Sequence, residues 1–247
     1  MRAILTVSVC LILLGARPAG AQTRAWPERF WFGISGGIQP TVNSFDDAFE
    51  RELYQETEGV TVDYPVKSGA LIAATGGVRV WKNLAVGFGV TRYNRRGSAT
   101  VKARLPHPFF DNQFRDIEGT TTTTRSETGG HLLIGWMMPL GEKLRLIVTA
   151  GPSVLSVGQT LVTDVQFSET YPYDTAEFTG ATTTKGTRTA TGFNAGADVF
   201  WMFSRRIGAG GLIQVTRARA RLNAGSGRTK AVDAGGAQAA LGIRVLF

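Results

Sequence analysis

Between Phe193 and Phe203 the side chains alternate: Phe193, Ala195, Ala197, Val199, Trp201 and Phe203 against Asn194, Gly196, Asp198 and Met202. The last seven residues repeat the pattern, with Leu241, Ile243, Val245 and Phe247 on one parity and Gly242 and Arg244 on the other. Side chains of a strand point to opposite faces in turn, so each stretch is a strand with one greasy and one small or polar face. In a soluble barrel the greasy face would be the inner one. Here the large apolar residues share a parity with the aromatics beside the tight turns, and Arg, Glu, Asp, Asn and Gln take the opposite parity. That inversion is what a sheet facing lipid needs.

Six more segments carry the same signal. Strands are expected near 29–39, 67–80, 84–103, 120–138, from Lys143 onward and over 207–221. Three of the connections are tight, at 81–83, 139–142 and 204–206, and they alternate with long ones near 41–65, 105–119, 165–185 and 223–230. The expectation is all-β: an eight-stranded antiparallel up-and-down transmembrane β-barrel with short turns at one end and long extracellular loops at the other. Trp81, Trp136, Trp201 and Phe203 lie beside the short turns and form an aromatic girdle, which Phe247 shares. Gly151-Pro152 predicts a bulge in the fifth strand, and the seventh strand is open to one after Val215.

The start of the chain reads as an export signal. Arg2 is followed by an apolar run from Ile4 to Leu14 and by Ala19-Gly20-Ala21, a small-x-small cleavage pattern. The run is shorter than the ~20 residues of a helical span. Residues 1–21 are thus expected as a signal and 22–247 as the barrel. Cys10, inside the signal, is the only cysteine, so the remainder has no disulfide or thiolate chemistry. The chain carries +8 overall; on an exported chain that charge meets lipid phosphate rather than nucleic acid.

The whole mature chain resembles the small outer-membrane β-barrel proteins, OmpA/OmpX-like in architecture, without the periplasmic domain that OmpA-type proteins append. Leu241, Ile243, Val245 and Phe247 resemble the C-terminal assembly signal of that family. The resemblance implies a monomer in the outer membrane of a Gram-negative bacterium. Its partners would be the bilayer and lipopolysaccharide, with periplasmic chaperones and the outer-membrane assembly machinery in transit. It implies no single activity, because such barrels serve many functions.

The polar parity places Arg79, Arg125, Glu127, His131, Arg145, Arg188, Asp198 and Arg244 in a bore that eight strands leave just wide enough to fill with side chains. They are expected to pair, because a lone buried charge is very costly. Only two histidines exist. His131 lacks the serine two residues on that barrel lipid A deacylases carry, and no nucleophile is specified near His107. No enzyme, cofactor or metal set is therefore read. Residues 41–65 hold seven acids against Arg51. Phe45, Phe49 and Leu53 recur there every four residues, and with Ser44 and Asp47 as a cap they predict a short amphipathic helix on the rim. Arg217, Arg219 and Arg221 share the parity of Ile213 and Val215. If the register holds, they leave the lipid face at headgroup level, where arginine pairs bidentately with lipopolysaccharide phosphate. An integral envelope or adhesion role leads; a small-solute channel is the alternative, and a lipid A-modifying enzyme comes third.

Overall fold

A computed structural model describes residues 28–40, 44–65, 67–224 and 228–247; the expected signal lies outside them. The elements are β1 (Phe30–Gln39), β2 (Phe45–Leu53), β3 (Glu56–Tyr64), β4 (Gly69–Trp81), β5 (Leu84–Pro106), β6 (Phe114–Pro139), β7 (Leu144–Glu169), β8 (Ala176–Met202), β9 (Ile207–Asn223) and β10 (Thr229–Leu246). All pairings are antiparallel. The strand order is β2-β3-β5-β4-β1-β10-β9-β8-β7-β6, and β5 also pairs with β6. That last pairing closes a ring of eight strands and leaves β2–β3 as a hairpin hung on β5.

The pairs fix the tilt. From Arg244 on β10 the ladder runs to Gly33, Thr75, Gly89, His131, Ser153, Gly192 and Ala218, and it returns to β10 at Ala234, ten residues from where it began. Such a stagger over eight strands tilts them by about 40–45° and narrows the bore to side-chain width.

The exterior bears out the alternation. Phe32, Ile34, Ile72, Phe88, Ile134, Phe193, Trp201, Ile213, Leu241 and Ile243 all stand exposed on the outer wall. On β8 this band runs from Phe193 to Phe203. Ten residue steps are about 33 Å of strand, or about 25 Å of height at this tilt, the thickness of a lipid-facing band. Trp81, Trp136, Trp201, Phe203 and Phe247 are exposed at its short-turn edge, as a girdle requires.

The far end departs from the expectation. The stretches near 105–119 and 165–185 are strand outside 107–113 and 170–175, and near 223–230 the described residues carry β9 to Asn223 and β10 from Thr229. β7 is 26 residues long, about 85 Å of strand and roughly 65 Å of height at this tilt, so well over half of it stands beyond the apolar band. The helix expected over 45–53 is instead a hairpin arm, turning at Tyr54 and Gln55, both with positive φ. A spacing of four satisfies a period of two as well as one near 3.6, and Asp47 is buried beside Phe49 on the same face. Inside this extension Phe49, Val60, Val62, Val101, Leu105, Ile117, Leu161 and Leu222 form an apolar core. It is the packing of an ordinary soluble domain standing on a membrane barrel.

Two points of register are settled. β7 and β8 pair without a shift through Gly151↔Asn194 and Pro152↔Phe193, so the expected bulge is absent. The β6–β7 ladder lapses beside Gly151-Pro152 and resumes unshifted. Pro152 has no N–H to offer there, and the Asn194 amide reaches the carbonyls of Gly151 (2.9 Å), Pro152 (3.2 Å) and Leu132 (3.3 Å) instead. β9 also keeps its register past Val215.

Candidate functional site

The bore is filled in layers. At the short-turn mouth an open recess of about 770 Å³ is lined by Glu28, Arg145 and Met202. Arg145 and Arg79 are half-buried at this end, and Arg145 lies 3.7 Å from Glu28. Above them Trp31, Ala85, Met137, Ile147, Phe200, Met202 and Leu246 form an apolar plug. Paired charges were expected to fill the bore; in this layer the filling is apolar, Met202 being on the parity already read as inward. Inward glycines make room for it: a Cβ on Gly77 would lie 2.1 Å from the Trp31 ring.

Above the plug, Arg244 from β10 grips Asp198 from β8 through two bonds, Nε to Oδ2 at 2.6 Å and Nη2 to Oδ1 at 2.9 Å. Gly33 leaves space for the guanidinium, since a Cβ there would meet Arg244 Cδ at 2.8 Å. One layer higher, the His131 ring is bonded on both nitrogens, Nε2 to Thr91 Oγ1 and Nδ1 to Ser153 Oγ, each 2.8 Å. Ser153 Oγ in turn accepts from Asn194 (2.9 Å). No carboxylate orients this histidine, and the chain of four polar groups from four strands ties the wall together. Higher still, Arg125 pairs with Glu127, whose other oxygen accepts the Gly235 N–H at 2.8 Å. Gly235 has φ +80, a conformation open to glycine. Gln238 and Gln39 bridge the next gap at 2.9 Å.

Arg188 does not join this network. Its parity is inward, but the β8–β9 ladder ends at Gly192↔Ala218, and the side chain is exposed where the β7–β8 hairpin stands clear of the ring. Between the layers lie small spaces of about 10 Å³, beside Trp31 and Asp198, and about 20 Å³, beside Arg125 and Gln159. Each holds about one water.

Outside, Arg217, Arg219 and Arg221 continue the exposed file of Ile213 and Val215 on β9. Arg219 lies 3.9 Å from Asp233, with both side chains mostly exposed; such a pair is worth about 0–1 kcal/mol and leaves the guanidinium open to another anion. At the outer tip, Arg51 joins Glu58 and Asp164, and Arg115 joins Glu169. The Glu169 carboxylate accepts from the Tyr54 hydroxyl at 2.5 Å and pushes that phenol up to about 12. Burial pushes the Tyr64 phenol, which accepts the Val162 N–H, up to about 12 as well. His107 Nε2 lies 3.9 Å from Asp174 rather than pairing with Asp111 or Asp116, and its Nδ1 accepts the Phe109 N–H at 3.1 Å. Phe109, Tyr171 and Tyr173 pack edge to face, with Phe109 and Tyr171 largely exposed. Phe178 instead packs against the core of the extension.

The tip pairs, the His131 chain and the Trp31 plug were not read from the sequence. The signal that could have announced the plug is parity, since Trp31, Phe200 and Met202 share the inward one with Gly33 and Asp198.

No family model and no curated protein sequence matches the chain. Among solved structures it is similar to Neisserial surface protein A (10% identity, TM-score 0.45, covering 88% of this chain and 97% of that one). It is similar to the outer membrane protein OprG from Pseudomonas aeruginosa (12%, 0.45, 89% and 97%) and to the attachment invasion locus protein Ail of Yersinia pestis (9%, 0.34, 87% and 99%). At these scores the likenesses carry no weight beside the coordinates. Its closed ring of eight strands, its greasy outer band and its filled bore give this chain the architecture of the small outer-membrane β-barrel proteins.

Proposed function

We propose that this protein is an integral, non-enzymatic component of a Gram-negative outer membrane, a monomer. In this reading β9 holds lipopolysaccharide phosphate, and the stiff extension carries the aromatic tip outward for structural or adhesive contact. The observation that carries the reading is the placing of Arg217, Arg219 and Arg221 on the outer wall directly above Val215. At that height an acyl chain gives way to a phosphorylated headgroup, and three guanidiniums on one parity match its charge. Orientation follows from the short turns, which in such barrels face the periplasm.

A channel for small solutes would need a continuous path. The plug around Trp31 and the one-water spaces above it favour a closed bore. A hydrolase would need substrate at His131, whose two nitrogens are already engaged.

Replacing Arg217, Arg219 and Arg221 together by alanine is expected to lower the lipopolysaccharide that co-extracts with the folded barrel by about ten-fold. Two or three charge-assisted contacts of about 0.5–1 kcal/mol each amount to that factor. Unchanged co-extraction would remove the β9 contact from the proposal.

A further inference from the structure

The barrel wall has a gap above the membrane. β5 pairs with β4 only as far as Asn94↔Ala70, and with β3 only from Thr100↔Asp63 onward. Between them, Arg95–Ala99 have no ladder partner on that side, although they stay paired with β6 on the other. Alternate backbone N–H groups of an antiparallel strand point to the same side, so this stretch turns main-chain donors toward the gap that have no ladder partner among the described residues.

A recess of about 300 Å³ opens at this place. It is lined by Pro65, Lys67, Arg95, Arg96, Ser98 and Thr122, with no carboxylate in its wall. Lys67, Arg95 and Arg96 are all exposed, and among the described residues none of them is ion-paired to an acid. Pro65 and Arg95 also border the one-water space beside Arg125 and Gln159, so the two spaces share a wall. Arg95 and Arg96 lie five and six residues beyond Val90, the last apolar residue of the β5 exterior. That is about 12–15 Å higher at this tilt, at the level of sugar and phosphate rather than acyl chain.

We infer that this recess is a binding site for a phosphorylated sugar, distinct from the β9 arginines. Lys67, Arg95 and Arg96 take the phosphate, helped by the backbone N–H groups turned toward the gap. Ser98 and Thr122 offer hydroxyls to the sugar. The same chemistry is presented by a phosphorylated core sugar of lipopolysaccharide and by a free sugar phosphate. The inference shares the outward orientation of the proposed function but does not depend on the β9 contact.

The test uses the folded full-length barrel in two arms. In one, micelles of a zwitterionic detergent are titrated with glucosamine 6-phosphate and followed by phosphorus NMR. In the other, nanodiscs are loaded with lipopolysaccharide whose core phosphates are intact or chemically removed, and retention is measured. The native protein is expected to bind saturably in at least one arm: the first identifies a free solute, the second alone a lipid headgroup. Lys67→Ala with Arg95→Ala and Arg96→Ala should weaken that binding at least ten-fold. The β9 triple variant should leave free-sugar binding unchanged; its own lipopolysaccharide loss is read separately, so one idea can fail without the other. Unboiled gel mobility checks that each variant has folded. If the triple variant does not fold, Ser98→Ala with Thr122→Val should still weaken sugar-phosphate binding several-fold. Saturable binding in neither arm, or full binding by the pocket variants, overturns the site.

Discussion

Replacing Asp198 by alanine is expected to destabilise the barrel by about 3–5 kcal/mol, because it leaves the Arg244 guanidinium buried without its counter-charge. Arg244 is only 1% exposed, and both its Nε and Nη2 are committed to that carboxylate. Its remaining bond, to the Ile243 carbonyl at 3.1 Å, carries no opposing charge. The effect should appear as a lower urea midpoint in lipid vesicles and a lower temperature for the heat-dependent gel shift. Asp198→Leu combined with Arg244→Met should recover most of the loss, since replacing a buried ion pair by apolar side chains of similar volume is often neutral or better. By contrast, Asp233→Ala removes only the loose exposed partner of Arg219 and should change stability by less than about 1 kcal/mol. A change of that size at Asp198 too would mean that Arg244 has water at hand and the bore is open.

Leu241→Arg is the second large effect. Leu241 is 75% exposed on β10, near the middle of the greasy band. In water an exposed leucine tolerates arginine within about 0.5 kcal/mol. On a lipid-facing wall near the bilayer midplane the same change costs about 2–4 kcal/mol. Ala231→Arg supplies the control, because Ala231 is exposed on the same strand but beyond the band, opposite Arg221. Its cost should stay below about 1 kcal/mol, set by repulsion from the facing Arg221. Reversible unfolding of the two variants in the same vesicles gives the comparison, and equal costs would contradict a band at this height.

The membrane part of the fold is legible because parity there separates very different side chains. Phe193, Val199 and Trp201 against Asn194 and Asp198 leave little choice of face. What lies beyond the membrane is less legible, since an extension in water buries its inner face and wets its outer one like any soluble sheet. There Phe45, Phe49 and Leu53 fit a helix by spacing, and only their cross-strand partners Tyr64, Val60 and Glu56 show that the segment is a strand. Arg188 makes a related point. Parity told which face it takes, but not whether a neighbouring strand covers that face.

The site residues divide in the same way. Arg125 with Glu127 was readable, because the partners lie two apart on one strand. Thr91, Ser153 and Asn194 were not, because Thr91 and Ser153 reach His131, and Asn194 reaches Ser153, from three other strands once the register of the whole ring is set. Lys67, Arg95 and Arg96 share a recess only because β3 and β4 part between Tyr64 and Gly69, a property of the chain path rather than of composition.

The central claim is that the large apolar side chains of this sheet face lipid while its bore is closed. A small fluorophore attached at Leu241→Cys, in vesicles, reports the claim directly, since Cys10 falls in the expected signal and the remainder has no other thiol. Brominated acyl chains should quench it strongly and aqueous iodide should barely touch it, with the reverse at Ala231→Cys. Strong iodide quenching at Leu241, with no effect of brominated lipid, would show that the band faces water and the account is wrong.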